Sequence, residues 1–412
     1  MLGAAARCGH RSLESNIDEW NWRHGASYPF KAIFSREGGA EVQRVHAVVL
    51  GSRFGGMAVV TWLRRLYSPS TLAITVVDQW QEMVYRPGLV HAMDCDPDQL
   101  MPSLVIPLSP FWRRLHSEAI QDTIVGLDPN RRLVYMAVHD SLAYDVLFIA
   151  TGSTPVWNGI DGLEFCHNGI CEGYLAYRTA ALNQSEFAGS FVFAAGPIKA
   201  NPAWSPTIHV GCECPLLESA LLWDQVLRRR GRREAVDITV ISPAPHLAED
   251  GGPIVQERLE ALFAQRHIRI ITNARYTKVT PRQIRLADQV VFYDRAVWIP
   301  PAGGLRWLTG SGVDDGYGWV PTDFYLRHPD WPDIYAVGDV VSHPWPKMGH
   351  SAMVQARVAV HHWAIMREKK KNTIKPYQPA FLSALETGPG QGFFVLSDAF
   401  YGGHRQTVHH GR

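Results

Sequence analysis

Apolar positions along this chain fall into short runs separated by helical spacing, and their order is informative before any single residue is. Residues 46–50 form an apolar run that reads as a buried strand; a glycine turn follows, then residues 56–67 with helical periodicity, then a second apolar strand at 73–77 closed by Asp78. That is one βαβ unit of ordinary length. Residues 144–155 give another apolar strand with a glycine turn behind it, and residues 334–337 repeat that pattern ahead of Gly338, Asp339 and a helix. Between these two lies a second α/β segment, with strands expected at 190–195 and 237–241 and a helix at 215–230. The order predicts an α/β chain of two units, the second inserted in the first.

The turn after the first strand raises a specific question. A dinucleotide-binding turn carries glycine at three positions of G-x-G-x-x-G, yet here Arg53 stands between Gly51 and Gly56, where the backbone should approach a pyrophosphate. Asp78 lies 22 residues beyond Gly56, at the end of the next strand, where an acid accepts hydrogen bonds from an adenosine ribose. Turn and acid support one another. A guanidinium beside a diphosphate offsets the added Cβ through charge-assisted hydrogen bonds, and the helix start at Gly55 and Gly56 still offers free N–H groups to an anion. Both units are therefore expected to be Rossmann-type dinucleotide-binding domains, the first holding its nucleotide with the turn slightly displaced. The second differs: its strand at 237–241 is followed by Ser242 instead of an acid, and its glycine pattern is disrupted, which argues against NADH or NADPH as electron donor.

Composition narrows the class without choosing a chemistry. The 412 residues are 46% hydrophobic and 19% charged, enough apolar content for two packed cores. Lys plus Arg number 40 against 39 Asp plus Glu, so nothing global attracts nucleic acid or an anionic membrane. No apolar stretch approaches the ~20 residues of a membrane span, and the first residues lack the apolar core of a secretory signal. A cytoplasmic location is expected, with at most a weak peripheral contact at the inner face of a membrane. The basic runs at 228–233 and 367–372 read as solvated faces first and as such a contact second. Of six cysteines, Cys166, Cys171, Cys212 and Cys214 cluster mid-chain, at spacings poor for zinc, so no metal is expected.

With the Gly51 turn and Asp78, the Ala-Thr-Gly ending at Gly152, the pair Gly338 and Asp339, and Pro-Lys-Met-Gly ending at Gly349, the chain resembles the sulfide:quinone oxidoreductases and flavocytochrome c sulfide dehydrogenases. These are flavoproteins of the disulfide-reductase-like, two-dinucleotide-domain kind, and the resemblance spans roughly residues 44–403. It implies FAD bound by residues 45–155 with 315–367, a degenerate NAD-type domain at 156–314, a C-terminal segment 368–412 near the flavin, and an extension before residue 45. It further implies that Asp339 meets the ribityl chain and that Lys347 lies near the isoalloxazine, where a cation stabilises reduced flavin. Sulfide and a quinone would be the partners; a homo-oligomer is compatible. Another FAD-dependent NAD(P)H or quinone oxidoreductase, of the type II NADH dehydrogenase kind, and a non-catalytic member remain alternatives.

The same resemblance assigns sulfur chemistry. Cys212 matches the reactive cysteine, Glu218 the family's glutamate on the helix that follows, Cys171 an additional cysteine, and His246 a histidine suited to carrying protons. The helix start beside Cys212 is expected to lower its thiol pKa. One departure is in the tail, where Ser383 stands at the position of the sulfane-carrying cysteine; serine forms no persulfide. Either Cys214 or Cys171 then acts as the second sulfur, or the same flavin scaffold serves different redox chemistry. Phe393, Phe394, Phe400 and Tyr401 are candidates for a quinone pocket.

Overall fold

The computed structural model describes residues 44–165, 168–371, 373–388 and 390–411. Cys166 and nearly all of the N-terminal extension lie outside them. The first sheet has five parallel strands in the order Ile334–Ala336, Val146–Ile149, Val45–Leu50, Leu72–Asp78, Glu118–Gln121. Its central strands are apolar at nearly every position because both faces are covered, as parallel sheets require. The second sheet, also parallel, runs Arg269–Ile271, Val236–Ile241, Gly189–Ala195, Arg295–Ile299. Ile334–Ala336 lies beyond every strand of that second sheet in sequence, yet pairs with Val146–Ile149 in the first. These are two Rossmann-type units, the second inserted in the first.

Two glycines of the first turn have steric reasons to be glycine. Gly51 takes φ +97°, and a Cβ there would lie 2.4 Å from the Ala150 carbonyl oxygen; a Cβ on Gly56 would lie 1.9 Å from the Gly51 oxygen, where helix and strand touch. Arg53 needs no such licence, since its φ of −89° suits any residue. The middle glycine is thus dispensable for the backbone, and the turn closes with arginine in its place. Gly56→Ala is expected to cost about 1–3 kcal/mol or more, since backbone must move to admit the methyl group, and a lowered Tm in thermal unfolding checks it.

The C-terminal segment folds as a three-stranded antiparallel sheet, Phe381–Gly388, Gln391–Ser397 and Gln406–Gly411. It packs on the helix Cys214–Arg229, whose face of Leu216, Leu217, Ala220 and Leu221 shares a core with Phe381, Leu385 and Phe393. Strand alternation separates the aromatic residues expected to line one pocket: Phe393 is buried in that core, whereas the next residue, Phe394, is exposed. The basic run at 228–233 is not simply solvated. Fully buried Asp224 accepts hydrogen bonds from Arg228 at 2.9 Å, Arg233 at 2.6 Å and Arg266 at 2.8 Å, so two of those arginines help neutralise one interior carboxylate. Among the described residues no helix is long and apolar enough to cross a membrane.

Candidate active site

The residues expected to hold FAD converge at the carboxyl ends of the first sheet. The helix Phe54–Leu66 begins there with no side-chain cap and no acid in its first turn, leaving its N–H groups to an anion. Arg53 and Arg86 lie close enough to repel one another, and burial pulls the Arg53 pKa down. Asp78 accepts hydrogen bonds from the Ser52 amide at 2.7 Å, the Ser52 hydroxyl at 2.8 Å and the Trp80 amide at 3.0 Å. A carboxylate has about four acceptor sites, so capacity for a ribose hydroxyl remains. Gly152, at φ +77°, borders open space. Asp339 accepts no hydrogen bond among the described residues, although Lys347, Arg86 and Arg53 surround it with positive charge. An uncapped helix start, a pair of guanidinium groups and an acceptor without a donor fit a dinucleotide carrying polyol hydroxyls. Arg86 was not legible beforehand, since nothing in its local sequence marks it.

Lys347 is no loop lysine in water. Its side chain is buried, Nζ donates to the Val341 carbonyl at 2.7 Å, and the ring centroids of Trp204 and Trp319 lie 4.9 and 5.1 Å from Nζ. Burial lowers its pKa to about 8 against the pull of Asp339 and Asp315. Trp204 is fixed by a 3.0 Å hydrogen bond to Ser342, and Trp319 by one of 3.0 Å to the Lys199 carbonyl. Trp204 comes from the second unit, from the loop that replaces its nucleotide turn. In an intact Rossmann unit a helix follows the first strand at once; here the strand ends at Ala195 and the next helix starts only at Cys214. The intervening loop instead carries Trp204 and Cys212 toward the first unit and His209 against Glu249.

Cys212, Glu213 and Cys214 end that loop and line a cavity of about 10 Å³ with Val210, Gly211, Glu249, Asp250, Met348 and Phe381. Cys171 is not part of that lining, but it lies near enough that its charge, after that of Cys214, raises the pKa of Cys212. All three thiols are pushed up by burial, Cys171 to about 11. The expected lowering at a helix start therefore fails, because desolvation dominates and the helix begins at Cys214, past Cys212. Ser383 is buried on the C-terminal sheet, and its hydroxyl hydrogen-bonds the Cys214 sulfur, which eases ionisation of that thiol. Glu218 accepts the Glu386 amide at 2.8 Å and is raised to about 7 by burial, tying the helix to the C-terminal sheet.

His246 does not join them. Its side chain is 55% exposed, meets Glu260 at 3.3 Å, and lies outside the cavity lining. Acids occupy the lining instead. Glu213 and Asp250 are both raised to about 7, chiefly by burial. Glu213 was visible in the sequence between two cysteines, and its position there was the one signal available.

The fold and these groups define an FAD-dependent oxidoreductase with two Rossmann-type domains. The profile of the pyridine nucleotide-disulphide oxidoreductases matches residues 45–362, and the chain belongs to that family. It is similar to sulfide-quinone reductase of Aquifex aeolicus, 27% identical over 380 residues that cover 85% of this chain and 83% of that protein. It is also similar to mitochondrial sulfide:quinone oxidoreductase of Mus musculus, 23% identical over 358 residues, 83% of this chain and 75% of that one. Among solved structures, sulfide:quinone oxidoreductase from the hyperthermophilic bacterium Aquifex aeolicus superposes with a TM-score of 0.78, at 23% identity, over 89% of this chain and 87% of the other. The resemblance read from the motifs is borne out.

Proposed function

We propose that this flavoprotein oxidises sulfide at Cys212 and passes the electrons to a quinone. The observation that carries the reading is the shared cavity of Cys212 and Cys214 at the end of a loop whose Trp204 packs on Lys347, with Cys171 near enough for its charge to act on Cys212. Residues 45–155 with 315–367 would hold FAD and 156–314 the sulfur-carrying loop, a division supported by the strand Ile334–Ala336 returning to the first sheet. Bound FAD supplies a two-electron acceptor.

The chain's own part is to hold sulfur and move protons. Hydrosulfide opening a disulfide between Cys212 and a partner leaves a persulfide on one sulfur and a thiolate on the other, with no net redox change in that step. Cys214 is the favoured partner, because it lines the same cavity as Cys212 and Cys171 does not. Lys347, anchored by Val341 and the two indoles, holds a positive charge beside Asp339 at the flavin end of the site. Quinone is the proposed acceptor on the strength of the relatives' chemistry.

The alternative donor is a nicotinamide nucleotide, and the second unit speaks against it. Ser242 is buried, with Oγ accepting from the Ala244 amide at 3.2 Å, and the helix that follows the Gly189–Ala195 strand starts only at Cys214. Stopped-flow mixing of the yellow protein is expected to show fast bleaching by sulfide and slow or absent bleaching by NADH and NADPH. Rapid bleaching by micromolar NADH would transfer the assignment to the nicotinamide-dependent class.

A further inference from the structure

Forming a sulfur–sulfur bond from hydrosulfide and a thiol releases two electrons and one proton: HS⁻ and RSH give RSSH, H⁺ and two electrons. The electrons have a proposed acceptor, but the proton leaves a narrow cavity in which Cys214 is buried and Cys212 only partly exposed, and the histidine expected to carry it sits elsewhere. The cavity wall supplies another route. Glu213, Glu249 and Asp250 line the same small space as Cys212 and Cys214, and a volume of about 10 Å³ suits a single water. From Glu249 the path continues outward: Oε2 lies 2.8 Å from Nδ1 of His209, whose side chain is 44% exposed.

We propose that Asp250 and Glu249 form, with His209, a proton outlet for the Cys212 and Cys214 thiols. This rests on the sulfide reading above. A thiol S–H transfers its proton to the Asp250 carboxylate, leaving a thiolate and a neutral acid. That proton crosses the cavity to Glu249 and passes to Nδ1 of His209, which releases one from its exposed ring to solvent.

The backbone holds this arrangement in place. Glu249 Oε1 accepts the amides of His209 at 2.6 Å and Val210 at 3.1 Å, so carboxylate and imidazole are locked to the loop that carries the cysteines. The opposite loop is held at Ala248, in the left-handed region at φ 49°, whose amide donates to Glu213 Oε2 at 2.5 Å. Glu213 Oε1 is buried and has no hydrogen-bond partner among the described residues, so the wall contains an acceptor with spare capacity. The groups facing Asp250 are Glu249, Glu213, the Tyr401 hydroxyl at 3.4 Å, Cys212 and Cys214. Those facing Glu213 are Glu249, Asp250, Ser242, Tyr276 and Cys214. No cation among them competes for the proton.

The test uses the full-length flavoprotein and two variants. His209→Ala is expected to keep its flavin content and spectrum but to be reduced by sulfide about 10- to 100-fold more slowly. Imidazole added to the buffer should restore much of the rate, which a purely structural loss does not permit. Asp250→Asn removes a negative charge beside the thiols, so the pH profile of Cys212 alkylation by iodoacetamide, read by mass spectrometry, should move to lower pH. An unchanged rate in His209→Ala, a loss that imidazole leaves untouched, or an alkylation profile that does not move would each overturn the outlet. A parent protein that sulfide fails to reduce overturns the sulfide reading instead, and the alkylation profile still decides whether Asp250 faces the thiols.

Discussion

Cys212→Ala is expected to abolish reduction of the bound flavin by sulfide, by about a thousandfold or more, while the protein stays folded and yellow. The size of the effect follows from the geometry. Among the described thiols, Cys212 lines the cavity beside Cys214 and is the one on which the charges of Cys214, Cys171 and Asp339 all act. Removing it leaves two sulfurs without a link toward Asp339. Folding should survive, because Cys212 is partly exposed at the end of a loop and contributes to no helix or strand. Anaerobic stopped-flow at the flavin absorbance, with dithionite as a control for reducibility, makes the measurement. A variant that sulfide reduces at the parent rate would show that sulfur reaches the flavin without this cysteine. The pH dependence has a definite sign. Burial raises all three thiols, so the thiolate fraction, and with it the rate, should climb as pH rises from neutrality.

The sequence carried the frame of this site and missed its interior. Residues 46–50, 73–77 and 334–337 were legible as strands because parallel strands covered on both faces must be continuously apolar, and the structure has Val45–Leu50, Leu72–Asp78 and Ile334–Ala336. The C-terminal sheet was not legible. Its strand Phe381–Gly388 holds Ser383 and Thr387 in buried positions, which blurs the alternation that marks a strand. Burial also reversed one chemical expectation: a helix start lowers a thiol's pKa only if the thiol keeps its solvation, and the packing that removes it comes from Met348 and Phe381, far away in sequence. The proton-carrying groups were missed for a related reason. His246 fits a motif, whereas His209, close before Cys212 in the chain, belongs to none, and Asp250 becomes a neighbour of the thiols only through the fold.

Ser383 is where motif and geometry can be set against each other. The resemblance puts a sulfane-carrying cysteine at this position, and the structure puts the Ser383 hydroxyl on Cys214. If Cys214 has taken over the sulfane-carrying task, Cys214→Ala should lower sulfide-dependent flavin reduction by about 10- to 100-fold, because a lone Cys212 can take a sulfur but has no neighbour with which to close a disulfide. Cys171, near Cys212 but outside the cavity lining, is the reserve partner and leaves a residual rate. Adding Ser383→Cys to the Cys214→Ala variant then returns a second thiol to the same spot, from a strand buried against the same helix. The double variant should recover most of the lost rate, and Ser383→Cys alone should exceed the parent, since it adds a sulfur beside the Cys214 that lines the cavity. Recovery would mean that the two positions exchange one role across the helix start at Cys214. If the double variant is as slow as Cys214→Ala, then Ser383 only supports the Cys214 thiol through its hydrogen bond, and position 383 has no access to the sulfur being transferred.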